Sequence, residues 1–252
     1  MVVLPLVCLL SFAANIILKQ ASYRANASAT LQFAEAAIVI SDLIHGLQAE
    51  RGSSAGFVAS AGDSFGEVLA TRRAITDDGL ANYADINDMV TAFDARAASE
   101  IDQGLVELNR MRRDVDGLSI ETTRLGQEYT RIIDTLLDVS VKMANTGTSA
   151  DLRRVATAYA AAMYAKESAG QQRSMGARGF GSGSFTPDTF EGFVAYGARK
   201  DAFLYEAEAA LGPDAWADIS AALDAQSSTT MDNMRNEAKK IAFSDLPVGI
   251  SQ

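Results

Sequence analysis

The chain of 252 residues contains one cysteine, one histidine, one tryptophan and four prolines. Each scarcity removes a class of protein. A single cysteine cannot build an internal disulfide framework or a cysteine zinc site. A single histidine excludes two-histidine metal sites, including the paired Glu-x-x-His pattern of di-iron helical bundles. A Ser–His–Asp enzyme would have to use His45, and the inventory holds no other catalytic constellation, so an enzyme is not expected. Basic residues are also in deficit. The 22 Lys and Arg face 32 Asp and Glu, a formal net charge of -10. Non-specific nucleic-acid affinity comes mainly from Lys and Arg neutralising phosphates, so nucleic acid is not an expected partner. No cofactor or metal is expected either. Alternating apolar and polar residues, the mark of a half-buried strand, are missing throughout.

What is abundant is alanine, with 44 residues. Alanine has the best helix propensity and proline breaks helices most strongly, so the composition points to an all-α fold. Hydrophobic residues make up 48% of the chain and charged residues 21%, which suits a buried core and excludes global disorder. Punctuation divides the text into seven or eight helices. One runs from about Gln20 to Ser60 and stops at Ala61-Gly62-Asp63-Ser64. A short one over 65–76 is expected to end at Asp77-Asp78-Gly79, and a long periodic segment covers 80–115. Residues 119–145 follow, with Ile120, Leu125, Ile132, Ile133, Leu136, Leu137 and Val141 as apolar anchors. After the turn cluster 145–149, where Ser149 suits an N-cap, helices are expected over 150–178, 186–210 and 214–243. Pro187 suits the first turn of the second of these. Short connections imply long antiparallel helices in bundle packing. The glycine-rich stretch 179–183 follows no strand and lacks a Gly-Lys-Ser/Thr ending, so it reads as an interhelical hinge, not a phosphate cradle.

Residues Val2 to Leu18 carry no charge. As a helix they would extend roughly 25 Å, near the lower limit for a hydrocarbon core of ~30 Å. Three readings stay open for residues 1–20: a transmembrane anchor that begins upstream, a secretory signal cleaved near Ala13 or Ala14, and a buried core helix. The lone Cys8 reads as a small apolar filler there.

The most informative feature is a repeat at an offset of 122. Leu47-Gln48-Ala49-Glu50-Arg51-Gly52-Ser53-Ser54-Ala55-Gly56-Phe57 resembles Ala169-Gly170-Gln171-Gln172-Arg173-Ser174-Met175-Gly176-Ala177-Arg178-Gly179-Phe180. Aligning Arg51 with Arg173 also pairs Glu50 with Gln172 and Ala55 with Ala177. Two related halves follow, about 21–147 and 148–252. Arg51 lies on the stripe Ile40, Ile44, Leu47, Arg51, Ser54 and Val58, where an apolar residue is expected. Arg173 lies on a less clean stripe from Val155 to Phe180 that includes Lys166. A guanidinium on a buried face needs a partner, because an unpaired buried charge is costly and arginine cannot lose its proton. Spacing alone leaves two partners open. One is an internal ion pair with Glu50 or Glu167. The other is a small planar anion gripped by one arginine from each half, since the planar fork of arginine donors matches a planar oxyanion.

Five motifs, taken in order, carry a family resemblance. They are Leu47-Gln48-x-Glu50-Arg51-Gly52-x-Ser54, Arg73-x-x-Thr76-Asp77, Tyr129-Thr130-x-Ile132-Ile133-x-x-Leu136-Leu137, Asp151-Leu152-Arg153 and Lys166-Glu167-x-x-Gly170-Gln171-x-Arg173. Together they resemble the nitrate- and nitrite-sensing (NIT) domain of bacterial transmembrane receptors over roughly residues 35–245. The departure is Gln172, where the family more often has Glu. The resemblance implies two stacked four-helix bundles holding nitrate or nitrite between helices. Its implied ligands are Arg51, Arg173 and, on the last helix, Arg235, with Gln48 donating an amide hydrogen bond. It also implies a receptor of the inner membrane whose sensor lies outside the cytoplasm, held by the N-terminal segment. A homodimer is expected, because long-helix receptor modules often pair. Another small anion or carboxylate as ligand, or a scaffold that binds nothing, are the rival expectations. His45 and Trp216 read as helix-packing residues, and Arg72-Arg73 as a solvated pair or a bracket near the site.

Overall fold

The computed structural model describes residues 31–32, 34–144, 150–224 and 228–242. Among them are eight helices and no strand. Helix α1 covers residues 34–59. It is followed by α2 (Gly66–Phe93), α3 (Ala95–Asp116), α4 (Thr122–Ala144), α5 (Ala150–Ser182), α6 (Pro187–Leu211), α7 (Pro213–Asp224) and α8 (Ser228–Ala242). The fold is all-α, as expected, with long helices in two groups of four. The expected membrane segment 1–20, the turn cluster 145–149 with Ser149, and the division between halves near 147 lie outside the described residues. Among the described residues no helix is long and apolar enough to cross a membrane.

The larger core is built by α1–α4. The stripe on α1 buries Ala36, Ile40, Leu43, Ile44 and Leu47. Helix α3 meets it with Ala97, Ile101, Gly104, Leu108, Met111 and Val115, spaced alternately four and three apart so that they form one face. Helix α4 contributes Leu125, Tyr129, Ile132, Ile133, Leu136 and Leu137. Met163 of α5 closes this core on one side. Earlier on α5, Ala158 and Ala161 pack with Ala207, Leu211 and Trp216 in a second, smaller cluster. Helix α5 therefore touches both cores, and Trp216 is the interhelical anchor that was expected.

Several boundaries differ from the sequence reading, each for a local reason. Helix α2 runs straight through Asp77-Asp78-Gly79. Gly79 is buried against α1, where an added Cβ would come 3.1 Å from Leu43 Cα. Gly46 on α1 meets Thr76 Cα at the same 3.1 Å. These two glycines let the backbones of α1 and α2 approach, so Gly79 serves packing and not termination. The real break in the expected 80–115 segment is Asp94, whose side chain accepts a hydrogen bond from Ala97 N at 3.0 Å and caps α3. Helix α5 continues through the glycine-rich stretch to Ser182. It ends with Ser184 N donating to Gly179 O (3.0 Å) and Gly183 N to Phe180 O (3.3 Å), with Gly183 left-handed at φ +67°. This is a Schellman end, and only the last of the glycines is needed for it. The expected final helix 214–243 is two helices, α7 and α8. At the start of α6, Thr186 accepts from Thr189 N at 3.2 Å and Pro187 takes the first turn, as expected.

The glycines predict opposite outcomes for the same substitution. Gly52→Ala, on exposed α1 surface with nothing within 4 Å of the new methyl, should raise stability by about 0.5–1 kcal/mol through helix propensity. Gly79→Ala should instead lower it by about 1–3 kcal/mol, because the new methyl presses on a neighbouring backbone that cannot yield. Urea unfolding of the two variants measures both signs.

Candidate functional site

Glu50 and Arg51 are consecutive on α1, so their side chains leave the helix roughly 100° apart and meet different neighbours. Glu50 is 0% exposed. Arg112 of α3 donates Nε to its Oε1 at 2.7 Å and Nη2 to its Oε2 at 2.8 Å. Tyr129 of α4 donates its hydroxyl to Oε1 at 2.8 Å. Arg112 reaches on to Asp77 of α2 at 2.6 Å, and Arg73 of α2 donates to Asp116 at 2.8 Å and to the Arg112 carbonyl at 3.2 Å. Burial alone would raise the Glu50 pKa. Hydrogen bonds from Arg112, Thr76 and Tyr129 outweigh it and hold the carboxyl below its ordinary value. One carboxylate thus ties α1 to α2, α3 and α4. Fully buried and held by three hydrogen bonds from Arg112 and Tyr129, Glu50 clamps the fold.

Arg51 turns the other way, to the junction of α1, α4 and α5. Its side chain is 11% exposed, and that of its partner Glu167 is 7% exposed. Arg51 Nη1 donates to Glu167 Oε1 at 2.6 Å and Nη2 to Oε2 at 3.1 Å, a two-pronged grip on the carboxylate. Two amides complete the shell: Gln48 Nε2 to Oε2 at 2.9 Å and Gln171 Nε2 to Oε1 at 2.8 Å. Thr130 Oγ1 of α4 accepts from Arg51 Nη1 at 2.8 Å and from Gln171 at 2.6 Å, while donating to the Gly126 carbonyl at 2.8 Å. The group so held is a flat oxyanion of charge -1. Beside it lies a cavity of about 300 Å³ lined by Thr130, Glu167 and Gln171, and further by Asp134, Tyr164 and Arg199. Asp134 is an exposed residue of α4; partial desolvation of its carboxyl at the cavity wall, then the charges of Glu167 and Asp138, push its pKa up to about 6.

The sequence-derived residues meet different fates. Gln48 and Arg51 come together as expected, and the internal ion pair with Glu167, one of the two open partners, is present. Arg173 is exposed on α5, with no ion pair among the described residues, so the expectation that it shares a buried site with Arg51 is not met. The reason is a one-residue error in the stripe. The buried face of α5 runs Ala158, Ala161, Ala165, Ser168, Gln172 and Gly176, not through Val155, Tyr159, Lys166 and Arg173. Gln172, fully buried, donates to the Phe193 carbonyl of α6 at 3.2 Å. Arg235 falls on α8, but its side chain lies outside the described residues. Thr130 and Gln171 were visible only as motif letters, with no signal assigning them a role. Arg73 proves to be neither solvated nor near Arg51, since it belongs to the Glu50 network. His45 is exposed and accepts from Lys166 Nζ at 3.1 Å. The Lys166 charge, then burial, then Arg72 push its pKa down. Gly52-Ser53-Ser54-Ala55-Gly56 spells a Gly-x-Ser-x-Gly pattern, yet Ser54 is buried in the middle of α1 and not on a strand-to-helix turn. His45 lies nine residues away on the same helix, roughly 13 Å along its axis.

Asp134 gives a pH signature with a definite sign. Its folded pKa, about 6, lies above the ordinary value of 3.8. The folded state therefore binds the proton more tightly than the unfolded chain. Its contribution to stability is greatest below about pH 4 and is lost as pH rises through about 6. Asp134→Asn should accordingly stabilise the protein at pH 7, with the advantage fading to nothing by pH 3.5. Melting temperatures of the two proteins across that range test it.

The nitrate and nitrite sensing (NIT) family matches residues 42–250. The nitrate regulatory protein of Klebsiella oxytoca is 28% identical over 153 residues, which are 59% of this chain and 39% of that protein. A solved structure, the NasR transcription antiterminator, superposes with a TM-score of 0.73 at 25% identity, covering 88% of this chain and 62% of the other. The chain spans less than two thirds of either relative's length. A match that takes in the Glu50 clamp, the Arg51 junction and all of the helices behind them means that this chain belongs to the nitrate and nitrite sensing family.

Proposed function

We propose that this domain senses nitrate or nitrite by binding it at Arg51, where α1, α4 and α5 meet. The observation that carries the reading is the grip itself: a largely buried guanidinium fork and two amides organised around a planar monoanion, next to a cavity, with the Thr130 hydroxyl bracing the donors from behind. A chain of net charge -10 does not gather anions by its average field, so selectivity has to come from a local, desolvated cluster of this kind. Charge-assisted hydrogen bonds contribute about 1.5–3 kcal/mol each. A few of them suffice for a micromolar complex, about -8 kcal/mol. Because the donors stand on two helices, α1 and α5, and are braced by Thr130 of α4, an occupant that prefers one helix arrangement shifts the population of arrangements, and this is the signal.

Arg235 on α8 is the proposed second guanidinium, by resemblance to the family. Arg173, facing solvent, is not retained as a direct ligand. A second reading, a sensor of small carboxylates, is favoured by one fact: the group held in the fork is itself a carboxylate. The same proposal has the domain outside the cytoplasmic membrane, anchored through residues 1–20 and paired as a homodimer within a longer receptor. Membrane fractionation and the mass of the full-length protein address those points.

Calorimetry with nitrate, nitrite, acetate and chloride decides the ligand. Nitrate or nitrite should bind in the micromolar range, and Arg51→Ala should weaken binding at least a hundredfold. Nitrate affinity that survives this substitution within twofold would remove Arg51 from the site, and acetate binding tighter than nitrate would favour the carboxylate reading.

A further inference from the structure

The carboxylate of Glu167 occupies the place a bound oxyanion would take. Each of its two oxygens receives one guanidinium and one amide hydrogen bond. It has the charge of nitrate and the same spacing of two oxygens on a trigonal centre. An external anion cannot use Nη1 and Nη2 of Arg51 together while Glu167 holds them.

We infer that Glu167 is a built-in competitor: the protein's own carboxylate stands in for the ligand, and the sensed anion binds by exchanging with it. This rests on the proposal that the anion binds at Arg51. Three consequences follow from the geometry. First, Glu167 sets the sensing threshold, because the apparent affinity equals the intrinsic affinity reduced by the fraction of molecules in which the fork is free. Second, the exchange loosens the α1–α5 contact by removing the bonds of Arg51 and Gln48 on α1 to Glu167 on α5, while Lys166 still reaches His45. The displaced side chain turns into the cavity it already lines, which also holds Arg199 as a second cation. Third, a site shaped around a carboxylate selects planar monoanions with two coplanar oxygens, such as nitrate, nitrite and formate, over tetrahedral sulfate.

The experiment is nitrate titration by calorimetry of the whole chain and of Glu167→Gln, Glu167→Asp and Arg51→Ala, with a sulfate arm. Glu167→Gln keeps the shape and removes the competing charge, and it should bind nitrate at least tenfold more tightly than the unaltered protein. Its melting temperature without nitrate should be lower, because Arg51 loses its counter-ion, and nitrate should restore it. Glu167→Asp, one methylene short of the fork, should tighten binding by a smaller factor, and it guards against a Gln variant that folds poorly. If the unaltered protein binds nitrate, Arg51→Ala does not, and both Glu167 variants bind equally or more weakly, Glu167 is an orienting partner and the exchange is overturned while the Arg51 site stands. If neither the unaltered protein nor any Glu167 variant binds nitrate, the Arg51 site itself is overturned. Sulfate binding as tight as nitrate in Glu167→Gln would overturn the selection for planar anions.

Discussion

An arginine cannot shed its proton to escape burial, and α1 places one in a core-facing stripe one residue after a fully buried glutamate. Much of the helical arrangement around α1 answers the need to pair those two charges. Glu50 requires cations, and they arrive from α2 and α3 as Arg73 and Arg112. Arg51 requires an anion, and it arrives from α5 as Glu167. The adjacent residues therefore draw the neighbouring helices to opposite flanks of α1. Removing one partner from such a buried pair costs about 3–5 kcal/mol, because the other charge is left stranded. The two pairs differ in how they are closed. Glu50 is enclosed by Arg112, Tyr129 and the backbone crossing of α1 and α2. Arg51 has a cavity at its side. The same electrostatic demand yields an enclosed clamp on one flank and an ion pair beside a cavity on the other.

How much of this could be read from the sequence depends on which residues carried a period. The stripe Ile40, Ile44, Leu47, Arg51 and Ser54 is clean, and it gave both the buried face of α1 and the anomaly within it. On α4, Ile132, Ile133, Leu136 and Leu137 did the same. On α5 the small residues blur the stripe: Ala158, Ala161, Ala165 and Ser168 carry so little hydrophobic contrast that a reading shifted by one residue looked equally good. That shift puts Arg173 on the buried stripe in the sequence reading, where the structure has Gln172. Boundaries failed where a residue type has two uses. Gly79 looks like a stop but lets two backbones touch, and Asp94 looks like one more surface acid but caps a helix. Long-range partners such as Arg112 leave no local trace, because nothing in the sequence around residue 112 marks it as the counter-ion of residue 50.

The repeat takes on a different meaning once its burial is known. Its two copies agree at the buried polar position, Glu50 and Gln172, and diverge at the following arginine, largely buried in one copy and exposed in the other. The difference follows from what each buried side chain faces. Glu50 faces two guanidinium groups and must be charged. Gln172 faces the Phe193 carbonyl, to which an amide donates and a carboxylate could not. An uncharged residue at 172 asks for no cation, so the second half holds no counterpart of Arg112 at this position. The preceding Gln171, in turn, is free to reach across to Thr130 and Glu167. The second half thus contributes to the site through Glu167 and Gln171, not through the arginine that its resemblance to the first half picks out. Between the two similar segments the arginine is the same residue but its burial differs, while the buried position before it changes from Glu50 to Gln172. Of the two arginines that the repeat aligns, one is paired with an internal carboxylate beside a cavity and the other faces solvent.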